Sequence, residues 1–493
     1  MTKKRTASRL GKIHVIRPVA IVVAMGSAFV APGDTSARQN TLSGGMTVGS
    51  IYDSNVYKSD NLRTGEWKSQ LAPQFTLSSK GLTDTLALTY APEFAYNFRR
   101  EDDEKTHVLS LLADKGLSSR WKVRVNGNYA NYDTLRFEAN QNLSKVQNFL
   151  RADAPTQADI VRILFPQLIW DPALHMGYVV SQFQKQYDAA GPSEQNQIRG
   201  LLFDGSGRQR YWTSSMALVS EYEFAEKSLF SLGYNFSSQE SKSGRLTDRV
   251  QQAPSLKIAY QFNPQWRAEV GYDLKFDSYD ASDDSIITNM PHLQVDFQLS
   301  PKNLIYWNYT YQDISFDGTR GNTLDQSTKL GWRHSLDQQT ALTAALGTAY
   351  LSRDRAADER EYSLDLGVSR TFEKGAMAIT GSVANAVDDQ SGDWEKARRS
   401  WELGSTLTYQ LMQDLSSSGR VSYGRWRSWA SNIQNNYDRF QAGGGLSYGL
   451  SRWLTLSVNY DYSLFDTAEV LLDDYTEHLI SIRLSAAKEL WRW

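Results

Sequence analysis

Six histidines and no cysteine constrain what chemistry this 493-residue chain can perform. Without a thiol it has no thiolate nucleophile, no thiolate metal site, no disulfide framework and no acceptor for a lipoprotein anchor. Past a basic leader that holds His14, the histidines are His107, His175, His292, His334 and His478, none in a HExxH or comparable metal-ligand spacing. Ser335 follows His334, but adjacent strand residues point to opposite faces, so the two form no Ser–His dyad. His292 shares a face with Asp296 and reads as a solvated wall residue rather than a base. Acidic runs occur at 101–104, at Asp280 with Asp283 and Asp284, at Asp388 with Asp389, and at Asp473 with Asp474. Their oxygens are of the kind Ca²⁺ takes, yet none has an EF-hand layout, and solvated loop charge is the better reading. No enzyme, cofactor or metal site is expected.

The remaining polar side chains come in a pattern. From Trp266 to Asp277, Trp266, Ala268, Val270, Tyr272, Leu274 and Phe276 alternate with Arg267, Glu269, Gly271, Asp273, Lys275 and Asp277. The stretches around 292–299 and 454–464 alternate in the same way. Strict period two makes a sheet with one apolar and one polar face. Short turns recur near Lys80, Gly116, Glu226, Asn263, Pro301, Gln338, Lys374, Gln413 and Leu450, about 37 residues apart save for one interval of about 110. Nine short turns and ten longer loops give up to twenty strands, with both ends on the short-turn side. The fold class is therefore all-β: a transmembrane, antiparallel, up-and-down β-barrel of 18–20 strands with one helical loop insert. A propeller or a sandwich does not explain the long-short alternation.

On this reading the polar face lines a water-filled lumen. Its candidate lining is Lys122, Arg124, Lys257, Arg267, Glu269, Asp273, Lys275, Asp296, Lys329, Arg333 and Arg420, a mixture of signs that gives no sharp ion preference. The apolar face meets lipid. Trp121, Trp266 and Trp453 stand just after short turns, and Trp67, Trp212 and Trp401 just after long loops, as two interfacial girdles require.

The long interval holds an insert over 134–208, in the third extracellular loop, with helical periodicity. Asp171-Pro172 supplies a helix start, Met176, Val179, Val180, Phe183 and Tyr187 share one face, and Gly191-Pro192 stops the run. Shorter helices are expected at 156–165 and 193–203. Two roles stay open: a plug or gate, with Asp171, Pro172, Met176, Val180, Phe183 and Tyr187 as its residues, or a cap on the barrel rim. Leu164, Phe165, Ile169 and Trp170 need burial in either case.

Composition agrees. The mean hydropathy of −0.50, with 41% hydrophobic residues, excludes a multi-span helical membrane protein but not a barrel, in which alternate residues face water. The 14 Trp, 26 Tyr and 19 Phe are many for so polar a chain. A net charge of −2 offers no basic excess for nucleic acid. Residues 1–37 read as a secretory signal cut after Ala37: basic, then apolar from Pro18 to Ala31, then small at Thr35-Ser36-Ala37. Residues 38–493 would form the barrel in a Gram-negative outer membrane, with no room for an N-terminal plug domain.

The stretch Gly49-Ser50-Ile51-Tyr52-Asp53-Ser54-Asn55-Val56-Tyr57 resembles the opening of the β-barrel porin type 2 family of bacterial outer-membrane proteins. The strand holding Pro73, Phe75 and Leu77 is also similar. Together these cover under a tenth of the chain. The family is often associated with exopolysaccharide gene clusters, so the resemblance implies an outer-membrane exit for a polysaccharide. The partners expected are membrane lipid and lipopolysaccharide, the barrel-assembly machinery, the polysaccharide itself and periplasmic export proteins. A general diffusion porin, or a surface receptor acting through its loops, is the alternative. The chain departs from a usual barrel terminus in that Trp493 falls on the polar parity of the last strand, which requires a bulge or an overhang after Ala487.

Overall fold

The computed structural model describes residues 38–55, 63, 65–99, 101–134, 149, 154–191, 194–195, 197–198, 201, 209–241, 248–279, 285–316, 322–354, 356–387, 397–430, 433–467 and 474–493. The expected signal at 1–37 therefore lies outside the described residues, as do Val56 and Tyr57 and the acidic loop residues Asp280, Asp283, Asp284, Asp388, Asp389 and Asp473.

Alternation and turn chemistry produce twenty strands. They are β1 (Gln39–Asp53), β2 (Glu66–Lys80), β3 (Asp84–Asn97), β4 (Asp102–Gly116), β5 (Trp121–Thr134), β6 (Gln209–Ala225) and β7 (Ser228–Ser241). Next come β8 (Arg249–Gln261), β9 (Trp266–Tyr279), β10 (Ser285–Ser300), β11 (Asn303–Phe316), β12 (Thr323–Ser335), β13 (Thr340–Arg353) and β14 (Ala356–Phe372). The last are β15 (Gly375–Val387), β16 (Ala397–Met412), β17 (Leu415–Ala430), β18 (Ile433–Ser451), β19 (Leu454–Thr467) and β20 (Tyr475–Arg492). Every strand pairs antiparallel with its neighbours in sequence, and β1 pairs with β20, so the sheet closes into an up-and-down barrel. Six of the nine expected turn centres fall between strands, and Lys80, Gly116 and Leu450 fall within the last two residues of β2, β4 and β18.

Followed through its partner residues, the register returns to β1 displaced by about 24 residues. With twenty strands, that stagger sets a tilt of roughly 40° and a backbone cylinder on the order of 35–40 Å across. Closure leaves no edge strand and satisfies the backbone internally, the condition for crossing lipid.

One parity carries a continuous apolar belt, for example Val48–Leu71, Phe75–Tyr90, Val270–Ile258, Leu330–Leu346 and Val458–Ile482 across successive pairs. These side chains stand exposed, Leu346 at 63%, as the convex face of a lipid-embedded wall. The other parity is polar and more enclosed; Asp277 is 3% exposed. Where that inner face lacks a Cβ, a ring fills in. A Cβ on Gly331 would come within 2.0 Å of the Tyr306 ring, and one on Gly424 within 2.1 Å of the Trp426 indole.

The seam is locked at both ends. At the long-loop end, Ser54 N–H donates to the His478 carbonyl (3.0 Å), His478 N–H donates to Ser54 Oγ (2.8 Å), and Asn55 Nδ2 donates to the Thr476 carbonyl (3.1 Å). At the other end the β1–β20 register slips, so that Ser43 faces Glu489 but Leu42 faces Trp491. This bulge at Leu490 returns Trp491 and Trp493 to the lipid-facing parity, and both are exposed.

Between β5 and β6 the insert forms α1 (Ala154–Leu164) and α2 (Pro172–Ala189), with further helical residues between 194 and 201. Asp171 caps α2: its carbonyl accepts the His175 N–H at 2.9 Å. At the far end Gln195 Nε2 donates to the Tyr187 and Ala190 carbonyls. Phe149, Ile160, Val161, Leu164, Phe165, Val179, Phe183, Tyr187 and Ile198 close a core of the insert's own, with Trp170 and Met176 packed on it.

Candidate functional site

All eleven expected lumen residues lie on the polar, inward parity. Nine are engaged with a neighbouring strand or residue. On β8–β10, Arg267 reaches Glu269 (3.0 Å) and Asp296 (3.5 Å), Lys257 reaches Glu269 (3.4 Å), and Lys275 reaches Asp277 (3.2 Å). Arg249 closes on the same Asp277 at 2.8 Å, and His292 Nδ1 lies 3.4 Å from Asp273. Elsewhere Arg124 pairs with Asp114 (3.0 Å), Lys329 with Asp365 (2.7 Å) and Arg420 with Asp461 (2.8 Å). Lys122 and Arg333, both exposed and near the short-turn rim, make no ion pair among the described residues. Each such pair adds about 0–1 kcal/mol in a watery lumen, so stability is not their main effect. They cancel charge along the wall.

Sequence patterning did not reveal a row of rings on this inner face. Trp426 (β17), Tyr437 (β18), Phe465 (β19) and Tyr475 (β20) all point inward near the long-loop rim. Their centroids are 5.0, 5.4 and 5.2 Å apart in succession. Interplanar angles of 14°, 35° and 18° set the rings side by side on an otherwise polar wall, with Tyr475 buried at the end of the row and the other three half-buried. Tyr132 and Tyr211 stack at 4.6 Å at the root of the insert, also facing inward. The four rings come from four strands, and only the register brings them together.

The six insert residues divide. Asp171 caps α2, and Pro172 opens it, with its side chain outside the described residues. Phe183 and Tyr187 are buried, Met176 packs partly on the core, and Val180 is half-buried while its neighbour Val179 is fully buried. The apolar face of α2 is thus turned into the insert itself. Leu164 and Phe165 join that core, and Ile169 stays 89% exposed.

Of the expected girdle, Trp121 and Trp266 open β5 and β9 at the short-turn rim, on the outer face. Trp67, Trp212 and Trp401 stand on the outer face towards the other rim. Trp453 lies in the turn before β19 and is exposed. His334, on the outer parity, bonds Asn303 Oδ1 through Nδ1 at 2.8 Å and stacks on Trp332. Among the described residues no three His, Asp or Glu side chains gather as a metal site would need.

No protein-family model and no curated protein matches the chain. Solved structures do. The ferric enterobactin receptor PfeA of Pseudomonas aeruginosa, bound to enterobactin, superposes with a TM-score of 0.51 at 9% identity, covering 91% of this chain and 81% of that one. The copper transporter OprC superposes with a TM-score of 0.51 at 9% identity, covering 93% and 84%. At such identities the likeness establishes a shared barrel fold.

Proposed function

We propose that this barrel is an outer-membrane channel through which a neutral or weakly charged polysaccharide leaves the cell. The observation that carries the reading is the ring row Trp426–Tyr437–Phe465–Tyr475, set on a wall where nine of the eleven expected charged residues are paired. A sugar presents apolar C–H patches between hydroxyls, and a row of rings beside paired polar groups suits both without holding either tightly. The short-turn rim faces the periplasm and the long-loop rim faces outward, as bacterial barrels are arranged. A lumen of this width leaks unless something obstructs it, and the insert between β5 and β6 supplies the obstruction. Because a buried cluster of its apolar side chains closes a core of its own, it gates by moving as a body. The resemblance of the opening strand to the porin type 2 family agrees with this substrate class.

In a planar bilayer, a neutral gluco-oligosaccharide should block the current. Tyr437→Ala with Phe465→Ala should raise the half-blocking concentration at least fivefold, and an unchanged value sinks the sugar reading. Removing residues 135–208 should raise the open conductance severalfold, whereas equal conductance makes the insert a rim cap. In cells, loss of the gene should leave polysaccharide behind the outer membrane, and normal surface polymer would refute export.

A further inference from the structure

The outer face of the wall carries a charge pattern that the channel does not use. On its long-loop half the described cations are Lys105, Arg210, Arg360, Arg399, Arg425 and Arg427. Lys105 and Arg210 each have a carboxylate, Asp103 at 2.6 Å and Asp133 at 3.3 Å. The other four crowd onto β14–β17. Arg399 stands directly opposite Arg427, and Arg425 directly opposite Trp401. Like charges paired across strands repel.

Local acids only partly answer these charges. Arg399 pairs with Glu361, and Arg425 lies 3.6 Å from Asp438. Asp358, two residues from Arg360, is held by the Tyr350 and Ser352 hydroxyls at 2.7 Å each. Arg360 and Arg427 make no ion pair among the described residues, and the buried Nε of Arg427 lacks a hydrogen-bond partner. Rings interleave the band: Arg399 lies 4.1 Å from the Tyr362 centroid and 4.9 Å from that of Trp401, and Arg427 lies 5.6 Å from Trp401. A tryptophan of the girdle marks headgroup level. Beside the band, the outer wall of β11–β14 dips into a groove of about 650 Å³ bordered by Tyr309, Thr328, Thr348, Tyr350, Arg360 and Tyr362. Short threonines make the dip, and tyrosines wall it.

We propose that this face binds a phosphorylated, acylated sugar lipid of the outer leaflet, with its phosphate on the arginine band and an acyl chain in the Thr328–Thr348 groove. A phosphate oxygen pair matches a guanidinium fork, and Arg360 and Arg427 are the two of the band without an ion pair among the described residues. The inference rests on the outer-membrane reading but not on the cargo of the lumen.

The test is native mass spectrometry of the detergent-solubilised barrel titrated with lipid A. Arg360→Gln with Arg427→Gln should weaken binding at least tenfold, while Lys105→Gln with Arg210→Gln leaves it unchanged. Dephosphorylated lipid A should bind at least tenfold more weakly than lipid A. Equal binding by the arginine variant, equal binding of the dephosphorylated lipid, or full competition by equimolar inorganic phosphate would each overturn the site. Heat-modifiable migration on a gel verifies that the variants fold. Unaltered oligosaccharide block in the Arg360→Gln, Arg427→Gln barrel separates loss of the lipid site from failure of the channel reading.

Discussion

Asn55 shows how one side chain can hold a large fold together. It is fully buried, takes its own N–H to Asp53 Oδ1 (2.8 Å), and reaches across the seam to Thr476. Asn55→Ala removes this half-buried bond across the seam, a loss of about 0.5–1.5 kcal/mol. The temperature at which the barrel loses its compact gel mobility should drop, and an unshifted transition would show that the seam does not depend on this bond. The Tyr52-Asp53-Ser54-Asn55 stretch behind the family resemblance is thus a closure device. Asp337, in the turn between β12 and β13, offers a pH probe. Its carboxylate accepts the Gln339 and Thr340 N–H groups (2.7 Å each), and the Gln339 bond chiefly holds its pKa below the ordinary 3.8. A depressed folded pKa gives the turn support above the unfolded value, lost as pH falls through the folded one. Titration of Asp337 by NMR should show a midpoint below 3.8, absent in Asp337→Asn.

At the scale of elements, the insert behaves as a small unit. Phe183→Ala, in a core that buries it completely, should cost about 3–5 kcal/mol there and leave the strands alone. Limited proteolysis should then cut within residues 150–200 while heat-modifiable migration persists. Simultaneous loss of the barrel would mean that insert and wall fold as one. The insert's limits, its helix start at Asp171-Pro172 and its amphipathic face were legible, because capping chemistry and a 3.6-residue period are local signals. What that face packs against was not, since an apolar stripe does not say whose core it joins. Strand parity was legible for the same local reason, and it placed Lys257, Arg267, Glu269, Asp273 and Lys275 on one inner face. The ring row was not: Trp426, Tyr437, Phe465 and Tyr475 are far apart in sequence, and registers summed over three strand pairs align them. The two arginines facing each other on the outer wall were hidden likewise.

For the whole molecule, polarity and membrane residence are reconciled by geometry. A mean hydropathy of −0.50 averages an apolar outside with a polar inside, and closure lets each face keep its own solvent. The wall then has two distinct charge economies: pairs that cancel inside, and an arginine band left partly unanswered outside. The bulge at Leu490 was foreseeable in kind, since Trp493 fell on the wrong parity, though its place depends on the partner strand.

The pairing of β1 with β20 has one more consequence. Thr41 meets Arg492, so the two edges of the sheet are the two ends of the folded chain. β1 pairs with β2 along one edge, yet its other edge stays bare until β20 reaches it. A chain short by its last hairpin therefore keeps two bare edges. A truncated copy cannot close, and such copies should be cleared before they reach a bilayer.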